Sequence, residues 1–317
     1  MKKINVGIIG LGIIGERLIK VMQTHEKTNI VGVFDIDEIR MKVLSESFNL
    51  DVFSSVEDLI ACDDIEAIYL AVPPKFHKGL ALKVMAAKKH LLCEKPLAGT
   101  IEEAKDMALA EEEYSKVTAM NFPMPYTAAY DKLKDVLKNN ELGKVLRIQV
   151  SGVFPDWPRK WQVNPWINTR EEGGFVREVF THLIQLIVDS FGDITNLHSQ
   201  TKYPEDKNLS EIGVLGWGEL ASGIEVGFNG ITGVNEKEHL ALTIYGELGT
   251  LEILNWRQLV MTTQATGRQI IDLKEKEASF EVIDAFYKKI ENETAYVVDF
   301  QTGYKVVKIV ETLLNSL

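Results

Sequence analysis

The chain divides into an α/β N-terminal half built on a parallel sheet and an α+β C-terminal half with a large, open, mainly antiparallel sheet. Three observations predict this. Short apolar runs alternate with amphipathic segments as far as Asn121. The first of those runs ends in a glycine-rich turn, Gly10-Leu11-Gly12-Ile13-Ile14-Gly15. Beyond Asn121 helical segments become sparse, and from Ile194 to Ile271 most runs are of strand type.

In the first half the predicted strands are Ile4–Ile9, Ile30–Phe34, Ala67–Val72, His90–Cys93 and Val117–Met120. Between them lie helices Glu16–Gln23, Ile39–Ser47, Ser55–Ala61, Lys78–Ala87 and Ile101–Tyr114. Asp37, Ser55 and Thr100 mark helix starts, and Thr100 with Glu103 forms a capping box. Strands separated by helices pair in parallel, with both sheet faces covered. In the second half a helix over Tyr126–Asn139 ends near Leu142-Gly143, and a strand follows over Val145–Val153. A long aromatic connection leads to a helix over Phe175–Phe191. Strands then run over Leu197–Lys202, Gly213–Leu220, Gly223–Phe228, His239–Tyr245, Thr250–Leu254 and Gln258–Thr263. Helix returns from Phe280 and includes a long stretch over Val297–Leu314. The expected domains are residues 1–121 and 122–317, with the C-terminal helix free to pack back on the first. An antiparallel sheet with helices on one face leaves the other to be covered, so a homodimer or homotetramer through that sheet is expected.

Composition narrows the function. A chain of 317 residues can fill two cores. A net charge of −11 argues against general affinity for nucleic acid or anionic membrane. Cys62 and Cys93 stand far apart and read as idle thiols in a reducing cytosol. The start, Met1-Lys2-Lys3 and an apolar run, superficially resembles a secretion signal. The glycines within it, Glu16-Arg17 after it and the lack of a small-residue cleavage site argue against one. No apolar segment is long enough to span a membrane, so a cytoplasmic location is expected. No His, Cys, Asp and Glu cluster has metal-ligand spacing, and no Gly-x-Ser-x-Gly elbow occurs; neither a metal nor a covalent nucleophile is expected.

The glycine turn has the strand–turn–helix setting of a dinucleotide fingerprint. Gly10 permits the tight turn, Gly12 lets backbone approach a pyrophosphate, and Gly15 lets helix and strand pack closely. Ile13 and Ile14 complete the cradle at the helix N-terminus, whose free N–H groups bind phosphate without a lysine. Asp35 ends the second strand, roughly 20 residues further on, where an acid accepts from the ribose hydroxyls. A turn-capping role fits it too. An acid there repels a 2′-phosphate, so NAD is expected over NADP; Arg40 works against that preference but is placed well into the next helix.

Ligands of a parallel sheet bind outside the carboxyl ends of its strands. Val72-Pro73-Pro74 with His77, and Cys93-Glu94-Lys95-Pro96, mark two such ends. Val72, Pro73, His77, Glu94 and Lys95 are therefore assigned to the cofactor crevice. Lys95 can hydrogen-bond a substrate hydroxyl or release a proton when desolvated. A surface lysine paired with Glu94 is the plainer alternative. Further along, Glu178, His182 and Gln185 fall on one helical stripe, with Arg177 beside them. The residues alone leave open whether that stripe faces solvent. Trp157 and Trp161 lie in the aromatic connection Phe154–Trp166. They can stack on sugar C–H faces or merely anchor a long loop. Asn121 and Tyr126 are further candidates for lining the cleft.

The glycine turn, Val72-Pro73-Pro74-x-x-His77 and Cys93-Glu94-Lys95-Pro96-Leu97-Ala98 together resemble the glucose–fructose oxidoreductase / inositol dehydrogenase (Gfo/Idh/MocA) family, over nearly the whole chain. The resemblance implies a Rossmann domain and an NAD(P)-dependent oxidoreductase acting on a sugar, inositol or polyol hydroxyl. In that family the lysine of Glu-Lys-Pro lies near the nicotinamide and the reacting carbinol. A histidine four residues after an aspartate on the Gly-Gly helix shares the hydroxyl proton with it. Lys95 and His182 match these positions as catalytic residues, with Glu178 in place of the aspartate. Lys95, His182, Glu178, Arg177, Trp157 and Trp161 are the substrate-side candidates. Glu178, Phe180 (where glycine is usual) and Gln185 (where aspartate often follows the histidine by three) depart from the pattern. They put the identity of the sugar in question more than the chemistry. A non-catalytic dinucleotide sensor and a glycoside hydrolase that recycles its NAD are the alternative functions.

Overall fold

A computed structural model of the chain describes residues 3–162 and 164–315. It divides into two compact units: Met1–Pro123 with Glu277–Tyr304, and Met124–Lys276 with Lys305–Leu317.

The first unit runs β1 (Ile4–Ile9), α1 (Ile13–Thr24), β2 (Thr28–Phe34), α2 (Glu38–Phe48), α3 (Val56–Ala61), β3 (Ala67–Leu70), α4 (His77–Ala86), β4 (His90–Cys93), α5 (Ile101–Glu112) and β5 (Thr118–Met120). All five strands pair in parallel in the order β2-β1-β3-β4-β5. Chain direction across the sheet reverses at β1, which creates a crevice between the carboxyl ends of β1 and β3. Outside β2, Val52 forms a parallel bridge with Val33; outside β5, Val298 bridges Met120 antiparallel. With the Val52 bridge as a vestigial outer strand, the order matches that of a dinucleotide-binding sheet. β3 is buried throughout and β1 nearly so, as strands covered on both faces require. Asp37, Ser55 and Thr100 each accept a backbone N–H of the first helical turn, from Arg40, Asp58 and Glu103.

The second unit contains α6 (Ala128–Lys138), β6 (Val145–Phe154), α7 (Thr181–Phe191), β7 (Ile194–Lys202), β8 (Gly213–Leu220), β9 (Glu225–Thr232), β10 (His239–Gly246), β11 (Gly249–Leu254), β12 (Gln258–Thr263) and β13 (Gly267–Ile271). Two helices close the chain, α8 (Ala278–Ile290) and α9 (Phe300–Asn315). α8 belongs to the first unit. There Tyr287 Oη accepts from Thr28 Oγ1 at 2.9 Å, and Lys27 Nζ meets Glu291 at 2.6 Å. The eight strands follow the order β13-β12-β11-β10-β6-β9-β8-β7, antiparallel except for the β6–β9 pair. The sequence pattern did not mark β13 as a separate strand, because that edge strand is exposed and has no buried alternate residues.

Side chains of the large sheet alternate between faces. Ile148, Val150, Val226, Phe228, Leu242 and Ile244 are buried on the inner one. The hydroxyls of Ser199 and Thr201 donate to Leu313 O near the end of α9, each at 2.7 Å. Phe180 also faces this sheet. A Cβ on Gly152 would meet its ring at 2.6 Å, and one on Gly230 would meet it at 2.9 Å and Phe175 at 2.4 Å. The phenylalanine that departs from the family pattern therefore fills space left by two strand glycines.

Candidate cofactor and active site

Gly10 has φ +96°, and a Cβ there would lie 2.4 Å from Ala71 O, so only glycine seats this turn on the end of β3. A Cβ on Gly15 would strike Gly10 O at 2.3 Å. Its close contact is thus chiefly with the turn itself, not the helix–strand packing expected. A Cβ on Gly12 would meet nothing within 4 Å. The fold itself does not demand glycine at this position; a group lying against the backbone would. Gly12 is the N-cap of α1 and no side chain caps that terminus, so the first-turn N–H groups of Ile13 and Ile14 suit a phosphate. Asp35 Oδ2 accepts Leu11 N–H at 2.5 Å, and Oδ1 accepts Asp37 N–H at 2.9 Å. The carboxylate clamps the glycine turn and keeps acceptor capacity for a ribose. Arg40 sits in the first turn of α2, not deep within a helix as expected. Its Nε donates to Leu11 O and its Nη2 to Glu16 at 3.2 Å, which brings a cation back to the glycine turn.

His77 is fully buried, with Nε2 2.8 Å from Val72 O and Nδ1 2.9 Å from Pro96 O. Both ring nitrogens are engaged with backbone carbonyls, so His77 ties two strand-end loops together and does not reach a cofactor. Burial pushes its imidazole pKa down. Val72 and Pro73 are half-buried at the crevice. Glu94 accepts Tyr69 Oη and Asn121 Nδ2 on Oε1, both at 2.5 Å, and the Lys95 N–H on Oε2 at 3.3 Å. Burial pushes its carboxyl pKa up. Glu94 and Asn121 therefore fix the backbone of Lys95; neither lines an open cleft. The Lys95 side chain is half-buried.

In the second unit the predicted Phe175–Phe191 helix opens as a π-helical segment, Val176–Phe180, and Thr181 N–H donates back to Val176 O. Such segments recur at functional sites. Gly174 has φ +102°, and a Cβ there would lie 2.1 Å from a carboxylate oxygen of Glu211. That buried carboxylate accepts Val176 N–H at 2.8 Å, and burial pushes its pKa up to about 7. The guanidinium of Arg177 binds both carboxylate oxygens of Glu311, at 2.6 and 2.8 Å, and the carbonyls of Arg170 and Gly173. Those bonds make it a structural tie instead of the substrate contact expected. Glu178 is half-buried, His182 is 8% exposed and Gln185 is 0% exposed, so the stripe does not face solvent. Neither amide atom of Gln185 has a hydrogen-bond partner among the described residues.

The aromatic connection divides in role. Trp157 packs on Phe154 and Phe175, and its indole N–H donates to Ile167 O at 3.3 Å, which anchors the loop. Trp161 is 58% exposed. Tyr126 is half-buried; burial, with the Asp189 charge nearby, pushes its phenol pKa up. The ring that meets His182 is Trp256, at 5.5 Å and 83°. Sequence reading did not single out Trp256, which lies in a turn outside any periodic run; the neighbouring Asn255 was its one turn signal. Glu211 was equally silent, because nothing local marks a carboxylate destined for burial.

Among the described residues no group of His, Cys, Asp and Glu could hold a metal ion, and no helix is long and apolar enough to cross a membrane. A glucose-6-phosphate 3-dehydrogenase of Bacillus subtilis (strain 168) is 33% identical over 191 residues, covering 59% of this chain and 53% of that protein. The chain spans about half the length of the curated relatives it matches. Among solved structures, a levoglucosan dehydrogenase in complex with NADH and L-sorbose has a TM-score of 0.86 at 19% identity, covering 100% of this chain and 97% of that one. A biliverdin reductase from Synechocystis sp. PCC 6803, in complex with biliverdin and NADP+, has a TM-score of 0.81 at 18% identity, covering 98% of each chain. At such identities the two show the fold alone. Residues 4–122 match the family described as "Oxidoreductase family, NAD-binding Rossmann fold", and residues 130–252 match the "GFO/IDH/MocA C-terminal domain". With both halves matched in order, and with the glycine turn and Glu94-Lys95-Pro96 at the strand ends of one sheet, the chain belongs to the Gfo/Idh/MocA oxidoreductase family.

Proposed function

We propose that the protein is a cytoplasmic oxidoreductase that moves a hydride between nicotinamide and a hydroxyl or carbonyl of a small sugar, inositol or polyol. One observation carries this reading. A continuous set of contacts leads from the phosphate cradle to Lys95: Gly10 lies against Ala71, His77 joins Val72 to Pro96, and Glu94 holds the Lys95 N–H. A bound dinucleotide supplies the hydride chemistry, and the protein supplies position and proton management. Gly12, the N–H groups of Ile13 and Ile14, and Asp35 hold the dinucleotide. Lys95 and His182 exchange the hydroxyl proton and polarise the developing carbonyl. Glu178 orients one of them or binds a second hydroxyl. Asp35 favours NAD over NADP, because Arg40 is already engaged with Leu11 O and Glu16. The dehydrogenase relative in Bacillus subtilis supports a sugar-like substrate.

The test is nicotinamide absorbance in protein offered NAD or NADP with sugars, inositols, polyols and their keto forms. Turnover with NAD on one compound class is expected. Bond cleavage in a glycoside without net NADH would mark the cofactor-recycling hydrolase instead, and tight NADH binding without any turnover would mark a sensor.

A second copy of the chain is proposed to cover the outer face of the large sheet, where Leu215, Trp217, Ile231 and Tyr245 are exposed. Monomeric proteins rarely leave such apolar patches open. Light scattering should return a dimer or tetramer, and Trp217→Glu should shift it towards monomer. A monomeric wild type would end the proposal.

A further inference from the structure

β11 and β12 are joined by a tight turn, closed by Arg257 N–H donating to Leu254 O at 3.2 Å. Its two central residues, Asn255 at φ 45° and Trp256 at φ 80°, are both left-handed. Hairpins favour that geometry, but its second central place takes glycine by preference. A bulky side chain there is disfavoured and persists only where its surroundings over-determine it. The surroundings do so here. Asn255 N–H donates to Leu240 O at 2.8 Å, and its side-chain oxygen accepts Leu240 N–H at 3.0 Å, which stitches the turn to β10.

The turn holds the indole of Trp256 edge-to-face with His182. Trp256 is half-buried: its ring meets His182, and the residue is not closed off from solvent. Trp157 is equally half-buried, but its ring packs on Phe154 and Phe175 beside the Arg159 guanidinium and its N–H is bound to Ile167 O, so it anchors the loop instead. We infer that Trp256 is the specificity-determining aromatic of the His182 site: its indole packs on the C–H face of a ring polyol whose hydroxyl His182 serves. The inference rests on the hydride-transfer reading above.

Trp256→Gly separates function from folding, because glycine relieves the left-handed strain. Its melting temperature should match or exceed that of wild type, and NADH affinity should not change. KM for a ring polyol should rise about tenfold with kcat within threefold, and Trp256→Phe should restore most of the loss. Unchanged KM in Trp256→Gly would overturn the inference, as would a loss confined to kcat. A second readout keeps the two readings apart. Protein labelled with 5-fluorotryptophan and saturated with NADH is titrated with the same polyols. The Trp256 signal is identified by its absence in Trp256→Gly. A shift of that signal without turnover supports the aromatic site and removes the hydride reading. Turnover without a shift removes the aromatic site alone, and neither effect removes both.

Discussion

Lys95→Met and His182→Ala should each lower turnover by about 10²-fold or more while the dinucleotide still binds. Met keeps the apolar stem of Lys95 and removes only the ammonium. The backbone at residue 95 stays held by Glu94, itself fixed by Tyr69 and Asn121, so the strand end should not move. The glycine turn, Asp35 and the N-terminus of α1 contain neither residue, which is why NADH affinity should survive. His182 is almost fully buried, so its removal leaves a cavity beside Trp256, and the melting temperature is read alongside the kinetics. If the two groups share one proton, Lys95→Met/His182→Ala should be little worse than either single change, because residues that act as a unit are not additive. Full turnover in both single variants would remove the assignment. Loss of NADH binding in either would turn that residue into a cofactor contact.

What the sequence made legible was local. Asp37, Ser55 and Thr100 announced helix starts because an N-cap needs only its own side chain and an N–H within the next three residues. The glycine turn was legible because its conformation restricts residue type directly. What escaped depended on partners distant in sequence. The bridge at Val52 consists of two hydrogen bonds, Val33 N–H to Asp51 O and Phe53 N–H to Val33 O, and leaves no periodic trace. The i→i+5 turn at Val176–Phe180 breaks the 3.6-residue period by which Glu178 and His182 were placed on one stripe. Arg177 was expected on the substrate side, but Glu311, 134 residues away, binds its guanidinium through both carboxylate oxygens. Arg40 misled because its return to the glycine turn depends on Leu11 O and Glu16, 29 and 24 residues away in the chain.

Gly174→Ala should destabilise the fold by about 3 kcal/mol and disturb the segment that carries Glu178. Two effects add. The backbone at φ +102° disfavours any Cβ, and the added methyl would lie 2.1 Å from Glu211 Oε2. The carboxylate cannot simply retreat, since it is buried and accepts the Val176 N–H. Denaturant unfolding measures the loss; a midpoint equal to wild type would show that the turn relaxes freely. Gly174→Ala/Glu211→Ala tests the division, because it keeps the backbone strain and removes the overlap. The same carboxylate makes stability depend on pH. Its folded pKa of about 7 stands above the ordinary 4.5, so between those values the folded state holds the proton that the unfolded state releases. The stabilisation from that proton is complete below about pH 4.5 and is lost as pH rises through about 7. Glu211→Gln keeps an acceptor for Val176 N–H and cannot ionise. Relative to this variant, wild type should lose stability from about pH 5 to about pH 7 and level off above that. A difference that stays constant across that range would mean that Glu211 titrates like a solvated carboxyl, and that Gly174 is required for its backbone alone.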